Sequence, residues 1–596
     1  MIPPAFIILA GLLAVPLLHG TGRKIWVTAV GAGGIVAVVL AVSTGTSELS
    51  FSLAPGIEMV LFTVDPVRAY AGMVFAGATL LAILYALFRD LPAAETMGIL
   101  ASGGAALGIV YAGDFITVFI FWELLALASL LMIWSAPGSG GSGFRYLLYH
   151  IFGGACLLAG CAITVVVSGS TLLGPVVPGP GYLLIAIGIG VNAAFIPLHT
   201  WVPDAYPRAS VTGSVALSIF TTKAAVFLFV VTGGWGQAVA WMGASMAIYG
   251  AVFALLQDDV RRLLSYSVIS QVGYMVAAIG VGTVAGIDAA LAHMANDILF
   301  KSLLFMAAGA VIYRTGTSRM SHLGGMARTM PLTTVAAVVG GFALAGLPGL
   351  NGSLSKAMVI EAAAGIPYLA PLLIIAAVIT VLYVVRFLYF VFFRTAPVSL
   401  NKGGIYEAPV AMLAAMTVAA GCCLLFGLFP FLLTALLPGG TYAHPFSSGY
   451  LTETAAVFLS AGLLLLLVRP LRFPGWSFEA DIDRVYCAAG HALVWFVTCP
   501  LSGTTGSVNR MVSRITSSVT WISRNPVMAT RITGRTFALP FVRALSDPAS
   551  TNAYVAALTS MRERYPDEKL GIRGSGYGLI LVSIIAFLYY LYDVLK

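Results

Sequence analysis

The chain has 596 residues, of which 59% are hydrophobic and only 9% charged, a composition that excludes a soluble globular protein and points to a polytopic membrane protein. Its formal charge of +8 suits membrane topology and anionic headgroups, so the lipid bilayer is an expected partner and nucleic acid is not. The six cysteines, Cys156, Cys161, Cys422, Cys423, Cys487 and Cys499, make no CxxC pair or Cys/His cluster, and no metal or other cofactor is expected.

About sixteen apolar segments of spanning length begin near residues 3, 25, 66, 95, 115, 147, 182, 210, 239, 266, 289, 331, 367, 408, 451 and 576. They are long and apolar all round, so they read as helices rather than barrel strands, and the fold class is all-α. The first lacks a basic flank and a small-residue cleavage site, which makes it a spanning helix rather than a signal peptide. Residues 1–470 read as one transmembrane core, 471–574 as an amphipathic membrane-surface segment, and 575–596 as a final transmembrane helix. In the surface segment Val508, Met511, Val512, Ile515, Val519 and Ile522 share one helical face, the pattern of a helix lying on a membrane. Most Lys and Arg residues fall in alternate loops, which are then cytoplasmic; both termini are expected on the other side, in a prokaryotic inner membrane.

Ionisable residues at membrane depth are costly unless paired or hydrated, and mark ion pathways. The first is Glu123, in VFIFWELLALASLLMIW. His150, in RYLLYHIFGG, divides evenly between relay and packing. The span from 182 runs into IPLHTWVPDAYP, whose prolines break it and whose His199 and Asp204 serve loop hydrogen bonds or transport. Lys223, in SIFTTKAAVFLFV, pairs with Glu123 if the helices bring the two together, making a switchable charge pair. His293, Asp297 and Lys301 recur at i, i+4 and i+8 with Asn296 beside them, a relay along one helical face or a static polar ladder. A second break, LAGLPGLNGSLSK, leads to Lys356 and Glu361, either of which can guard one side of the membrane. Paired breaks suggest two inverted repeats. No P-loop, HExxH or GxSxG motif stands in a credible context. Energy must come from an ion gradient or a partner.

FWELLALASLLMI, IPLHTWVPDAYPRASVTGSVALSIFTTKAAV, DDVRRLLSYSVISQVGYM, HMANDILFKSLLFMAAG and LAGLPGLNGSLSK together resemble the antiporter-like subunits. These include the large membrane subunits of respiratory complex I (NADH:quinone oxidoreductase), the A-type and D-type subunits of the Mrp cation/proton antiporters, and the membrane-bound energy-converting hydrogenases. The resemblance covers roughly residues 65–400. It implies a fourteen-helix core of two inverted five-helix repeats and a central row of charges. Glu123 matches the family's glutamate on the fifth helix, Lys223 the basic residue on the eighth, His293 and Lys301 the relay on the eleventh, and Lys356 the lysine at the break in the twelfth. Two positions depart from the family pattern. Asn192 stands where a lysine is usual on the broken seventh helix, and an amide carries no exchangeable charge. Asp297 stands where a histidine is frequent; it would hold Lys301 charged and can introduce a cation site.

The leading reading is a proton-translocating, or cation/proton-antiporting, subunit working with other membrane subunits of a respiratory or hydrogenase-type complex. That complex would supply any NADH dehydrogenase or hydrogenase chemistry; this chain carries no catalytic centre of its own. A standalone sodium or potassium/proton antiporter and a non-conducting membrane anchor, with Asn192 breaking the path, are the rivals.

Overall fold

The computed structural model describes residues 2–565 apart from 46–47, 55–56, 396, 398–403, 443, 468–480 and 499–505. The chain opens with α1 (Pro4–Gly11), prolonged by a 3-10 turn to Ala14, and α2 (Gly20–Ser43). An antiparallel hairpin follows, β1 (Glu48–Ala54) and β2 (Ile57–Thr63), with Phe51 opposite Met59. Then come α3 (Pro66–Ala86), α4 (Ala93–Tyr111), α5 (Phe115–Trp134), α6 (Gly140–Ser168), α7 (Pro180–Asn192), α8 (Trp201–Arg208), α9 (Val211–Ile219), α10 (Thr221–Thr232), α11 (Gln237–Leu255), α12 (Val260–Gly280) and α13 (Val284–Thr315). The core continues through α14 (Met326–Thr329), α15 (Pro331–Ala345), α16 (Asn351–Ala363), α17 (Leu369–Leu388), α18 (Val410–Leu428), α19 (Phe431–Thr434) and α20 (Ser448–Leu467).

Among the described residues twelve helices are long and apolar enough to cross a membrane, with α9–α10 counted as one, and three apolar helices are shorter: 4–14, 180–192 and 331–345. Together they account for fifteen of the sixteen apolar segments in the sequence; the sixteenth, beginning near 576, lies outside the described residues. The first segment differs from expectation. Its helix stops at Ala14 before Pro16, giving 11 residues and about 16 Å, well short of the ~30 Å hydrocarbon core. The other two short helices end where the two proline- and glycine-containing strings predict breaks. The hairpin at 48–63 is the other departure from an all-helical reading and lies outside the apolar segments.

Burial separates inner helices from outer ones. The apolar windows of α12, α9–α10, α13 and α4 are 100%, 94%, 89% and 83% buried, whereas those of α20 and α6 are 17% and 28% buried. Helices that are apolar all round yet polar at a few inner positions suit a membrane bundle. Small residues let α11 and α12 approach closely. A Cβ added at Gly273 would press on Gly243 O at 2.6 Å and on the Ala247 backbone nitrogen at 2.5 Å, and one at Gly250 would meet Tyr266 O at 2.7 Å. Gly421 of α18 has open space.

The chain divides into two compact units, Met1–Glu479 and Ala480–Lys596. The described part of the second contains α21 (Asp483–Thr498), α22 (Gly506–Arg524), α23 (Pro526–Leu545) and α24 (Pro548–Glu563). Pro526 and Pro548 occupy first turns, where the missing N–H leaves no bond unmade. Pro540 lies inside α23, so this proline does not end the helix. Met528, Ile532 and Leu558 form a small core flanked by Trp521, Leu539, Met561 and Tyr565.

Replacing Gly273 by leucine should destabilise the purified protein by about 1–3 kcal/mol through overpacking, while Gly421→Leu should leave it unchanged. Thermal melting of both variants in detergent checks the contrast.

Candidate ion-translocation site

The site begins at a capped helix. Asp114 accepts hydrogen bonds from the backbone nitrogens of Ile116 (2.8 Å) and Thr117 (2.9 Å) at the start of α5, and from Val60 N of the hairpin at 2.7 Å. This anchors α5 so that Glu123 stands about 13 Å along it. Glu123 is half-buried, and its buried Oε1 has no hydrogen-bond partner. Gly154 of α6 faces that oxygen so closely that a Cβ there would overlap it.

Along the same helix, His150 stacks on Tyr146 at 3.8 Å and stands edge-on to Trp201 at 4.7 Å. Its Nδ1 is 2.9 Å from Tyr146 O, while His150 Nε2 and the Tyr146 hydroxyl are buried without partners. A Cβ at Gly153, next to Gly154, would meet Val191, so consecutive glycines of α6 accommodate α5 on one side and the end of α7 on the other. Asn192, the last residue of α7, is fully buried and neither amide atom is hydrogen-bonded. The break beyond it carries a positive φ at Ala194 and a cis Ile196–Pro197 bond. Trp201 Nε1 donates to Val191 O at 2.8 Å, a carbonyl that also accepts from the Ala194 backbone nitrogen at 3.1 Å. His199 is fully buried and edge-on to Tyr249 at 4.8 Å. Asp204 is half-exposed, 3.0 Å from the Ser142 hydroxyl and 3.5 Å from Arg145 Nε, away from the buried row.

Lys223 lies just after the interruption between α9 and α10. Its Nζ donates to Ser218 O at 2.8 Å and makes an ion pair with Asp297 Oδ2 at 2.7 Å; both side chains are fully buried. The expected pairing of Lys223 with Glu123 is therefore replaced by one with Asp297. For the same reason Asp297 is not given to Lys301, whose ammonium donates instead to the Ser267 hydroxyl of α12. Helical spacing puts His293, Asp297 and Lys301 in line on α13, but only the packing of α10 and α12 against α13 decides which takes which partner.

On the other side of α13, His293 Nδ1 is 2.9 Å from Ser355 Oγ. Asn296 and Asn351 are mutually bonded: Asn296 donates to Asn351 O at 2.9 Å, and Asn351 donates to Asn296 Oδ1 at 3.0 Å. Lys356, one residue beyond Ser355 on α16, donates to Leu344 O at 2.7 Å, close to where α15 ends, and its ammonium is 5.4 Å from the Tyr274 ring centre. Gly346, at φ +87°, turns the chain there; a Cβ at that position would come within 3.2 Å of Lys356 Cδ. Glu361, at the far end of α16, is exposed.

The arrangement is a row of buried ionisable groups carried by α5, α10, α13 and α16. Lys223 and Asp297 neutralise each other. Lys301 and Lys356 hold neutral acceptors, a hydroxyl and a carbonyl, which an ammonium can bind and release without separating opposite charges. Sequence reasoning missed the polar lining of α12. Ser267, Gln271 and Tyr274, at i, i+4 and i+7, are fully buried, Gln271 Oε1 is unpaired, and Tyr383 of α17 has a buried hydroxyl without a partner. The helical spacing of those three was the available signal.

Lys223→Met should cost about 3–5 kcal/mol, because it leaves Asp297 charged and alone in the bundle, and Lys223→Met/Asp297→Leu should recover most of that loss. Denaturation of the two variants and of Asp297→Leu completes the double-mutant cycle. A double variant no more stable than Lys223→Met would show that an unpaired Asp297 charge is not the source of the loss.

Residues 112–382 match the family described as NADH:quinone oxidoreductase/Mrp antiporter, TM. The chain is 27% identical over 527 residues to the A-type subunit of the Na(+)/H(+) antiporter of Alkalihalophilus pseudofirmus, covering 77% of this chain and 65% of that one. It is 32% identical over 372 residues to the probable K(+)/H(+) antiporter A/B subunit of Rhizobium meliloti, covering 57% and 37%. Thus it spans between about a third and two thirds of the length of these curated relatives. Its fold is similar to a chain of the Mrp complex from Dietzia sp. DQ12-45-1b, with TM-score 0.71, 23% identity, and coverage of 99% of this chain and 75% of that one. Glu123, Asn192, the Lys223–Asp297 pair, Lys301 and Lys356 all lie within the segment that matches the NADH:quinone oxidoreductase/Mrp antiporter family.

Proposed function

We propose that this chain is an ion-translocating subunit of a multisubunit membrane complex, moving protons, alone or in exchange for a monovalent cation, along the buried row from Glu123 to Lys356. The observation that carries this reading is the row itself: titratable side chains on four helices, at a depth where each costs free energy that packing alone does not repay. Protons would be taken up near Glu123 and Lys223, pass by Asp297, His293 and Lys301, and leave near Lys356 and Glu361. The Lys223–Asp297 contact is the natural gate. Protonating Asp297 removes the attraction that holds Lys223, and the freed ammonium can then turn towards Glu123.

The resemblance to proteins named as Na(+)/H(+) and K(+)/H(+) antiporter subunits supports the exchange form over a purely redox-driven one such as an NADH dehydrogenase or hydrogenase arm. Other membrane subunits complete the complex, in a prokaryotic inner membrane with the termini on the non-cytoplasmic side, as the Lys/Arg distribution favours.

Ion uptake into vesicles carrying the native complex provides the test. Glu123→Gln should reduce transport at least about tenfold, as removal of an obligatory proton site does, with assembly intact. Sodium or potassium dependence in the wild type would identify the exchange form. Unchanged transport in Glu123→Gln would overturn the reading and leave a membrane anchor. Asn192→Lys should place a permanent cation near the unpaired Glu123 oxygen and slow uptake without affecting assembly.

A further inference from the structure

The unit 480–596 carries a surface that its own packing does not cover. α23 turns Met528, Ile532 and Leu539 towards the small core it shares with Leu558 of α24. By helical phase the opposite face carries Phe537, Phe541 and Leu545, at i, i+4 and i+8, and these side chains are 78%, 62% and 84% exposed. α22 repeats the pattern with Ile515, Val519 and Ile522, each about half exposed. Scattered apolar residues on a surface mean little, but two spaced stripes on neighbouring helices form a site for something apolar.

The charges around the stripes indicate what that is. Between residues 513 and 565 the chain has seven arginines and no lysine, against Asp547 and Glu563 as its only acids. Arg514, Arg524, Arg531, Arg543 and Arg562 are exposed. A planar guanidinium fork matches phosphate oxygens in pairs, and an apolar stripe with cationic flanks is the form of a helix that lies in a bilayer interface.

We propose that the exposed face of α22 and α23 docks on an anionic phospholipid leaflet, its arginines binding phosphodiester headgroups and Phe537, Phe541 and Leu545 entering the acyl layer. The inference is independent of the ion path.

The test uses the full chain in native bacterial membranes with Phe541 replaced by photoreactive p-benzoylphenylalanine, irradiation, and mass analysis of the adducts. Phosphatidylglycerol-class adducts should exceed that lipid's mole fraction about threefold, and the excess should vanish in an Arg514→Gln/Arg524→Gln/Arg531→Gln background. Adducts to another polypeptide would show a protein partner and overturn the proposal. Lipid adducts in proportion to bulk composition would overturn the anionic preference, and the absence of adducts would place the face in water.

Discussion

The contact between Lys223 and Asp297 is the constraint on which the interior of the bundle turns. Two ions removed from water lose several kcal/mol of hydration each, and only close approach with further hydrogen bonding repays that loss. Here the approach is 2.7 Å and Lys223 has a further bond to the Ser218 carbonyl, while Asp297 Oδ1 is buried without a hydrogen-bond partner. Such a pair joins α10 to α13 through charge rather than through shape, in a bundle where apolar side chains gain little from choosing one another over lipid. It also determines the state of its neighbours. A lysine held by Asp297 is withdrawn from Glu123, and an aspartate held by Lys223 is withdrawn from Lys301. The row is therefore one of graded attachment: a closed ion pair in the middle, ammonium groups on neutral oxygens on one side, and an unpaired carboxylate oxygen on the other.

Interrupted helices make that grading possible. An unbroken helix uses its carbonyls on itself. Where α9 gives way to α10, Ser218 O is available to Lys223, and near the end of α15, Leu344 O is available to Lys356. At the end of α7 the Val191 carbonyl is shared between Trp201 Nε1 and the Ala194 backbone nitrogen. Two of the three interruptions thus supply an ammonium ligand from backbone, which has no charge to be pulled away when a proton leaves. The third leaves its terminal side chain, Asn192, buried with open hydrogen-bonding capacity.

Much of the fold was legible because the bilayer imposes a simple rule: long uncharged stretches become helices, and proline with glycine at membrane depth marks breaks. The strings after 182 and 331 identified two breaks on that basis. The interruption at Phe220 has no proline or glycine to announce it and was not foreseen. The hairpin at 48–63 is short, and the alternation in ELSFSL is a weaker signal than a twenty-residue apolar run. At the site, depth singled out Glu123, Lys223, His293, Lys301 and Lys356, and the structure places the last four in the buried interior and Glu123 at its half-buried edge. Partnership was not legible. Seventy-four positions separate Lys223 from Asp297, and nothing in helical spacing distinguishes Asp297 from Glu123 as its counter-ion. The same holds for Ser267 and Ser355, ordinary serines until packing sets them against Lys301 and His293.

The two departures from the family pattern act together. Were residue 192 a lysine, Glu123 would have a cation from the same region of the bundle, and capture of Lys223 by Asp297 would leave it paired. Were residue 297 a neutral histidine, Lys223 would have no carboxylate on α13 and would be free to serve Glu123. With both changes present, Lys223 is engaged elsewhere and residue 192 offers only an amide. A carboxylate at this depth without a protein cation is stable only when it carries a proton or holds an incoming positive charge. Glu123, whose buried Oε1 has no hydrogen-bond partner, falls under that condition.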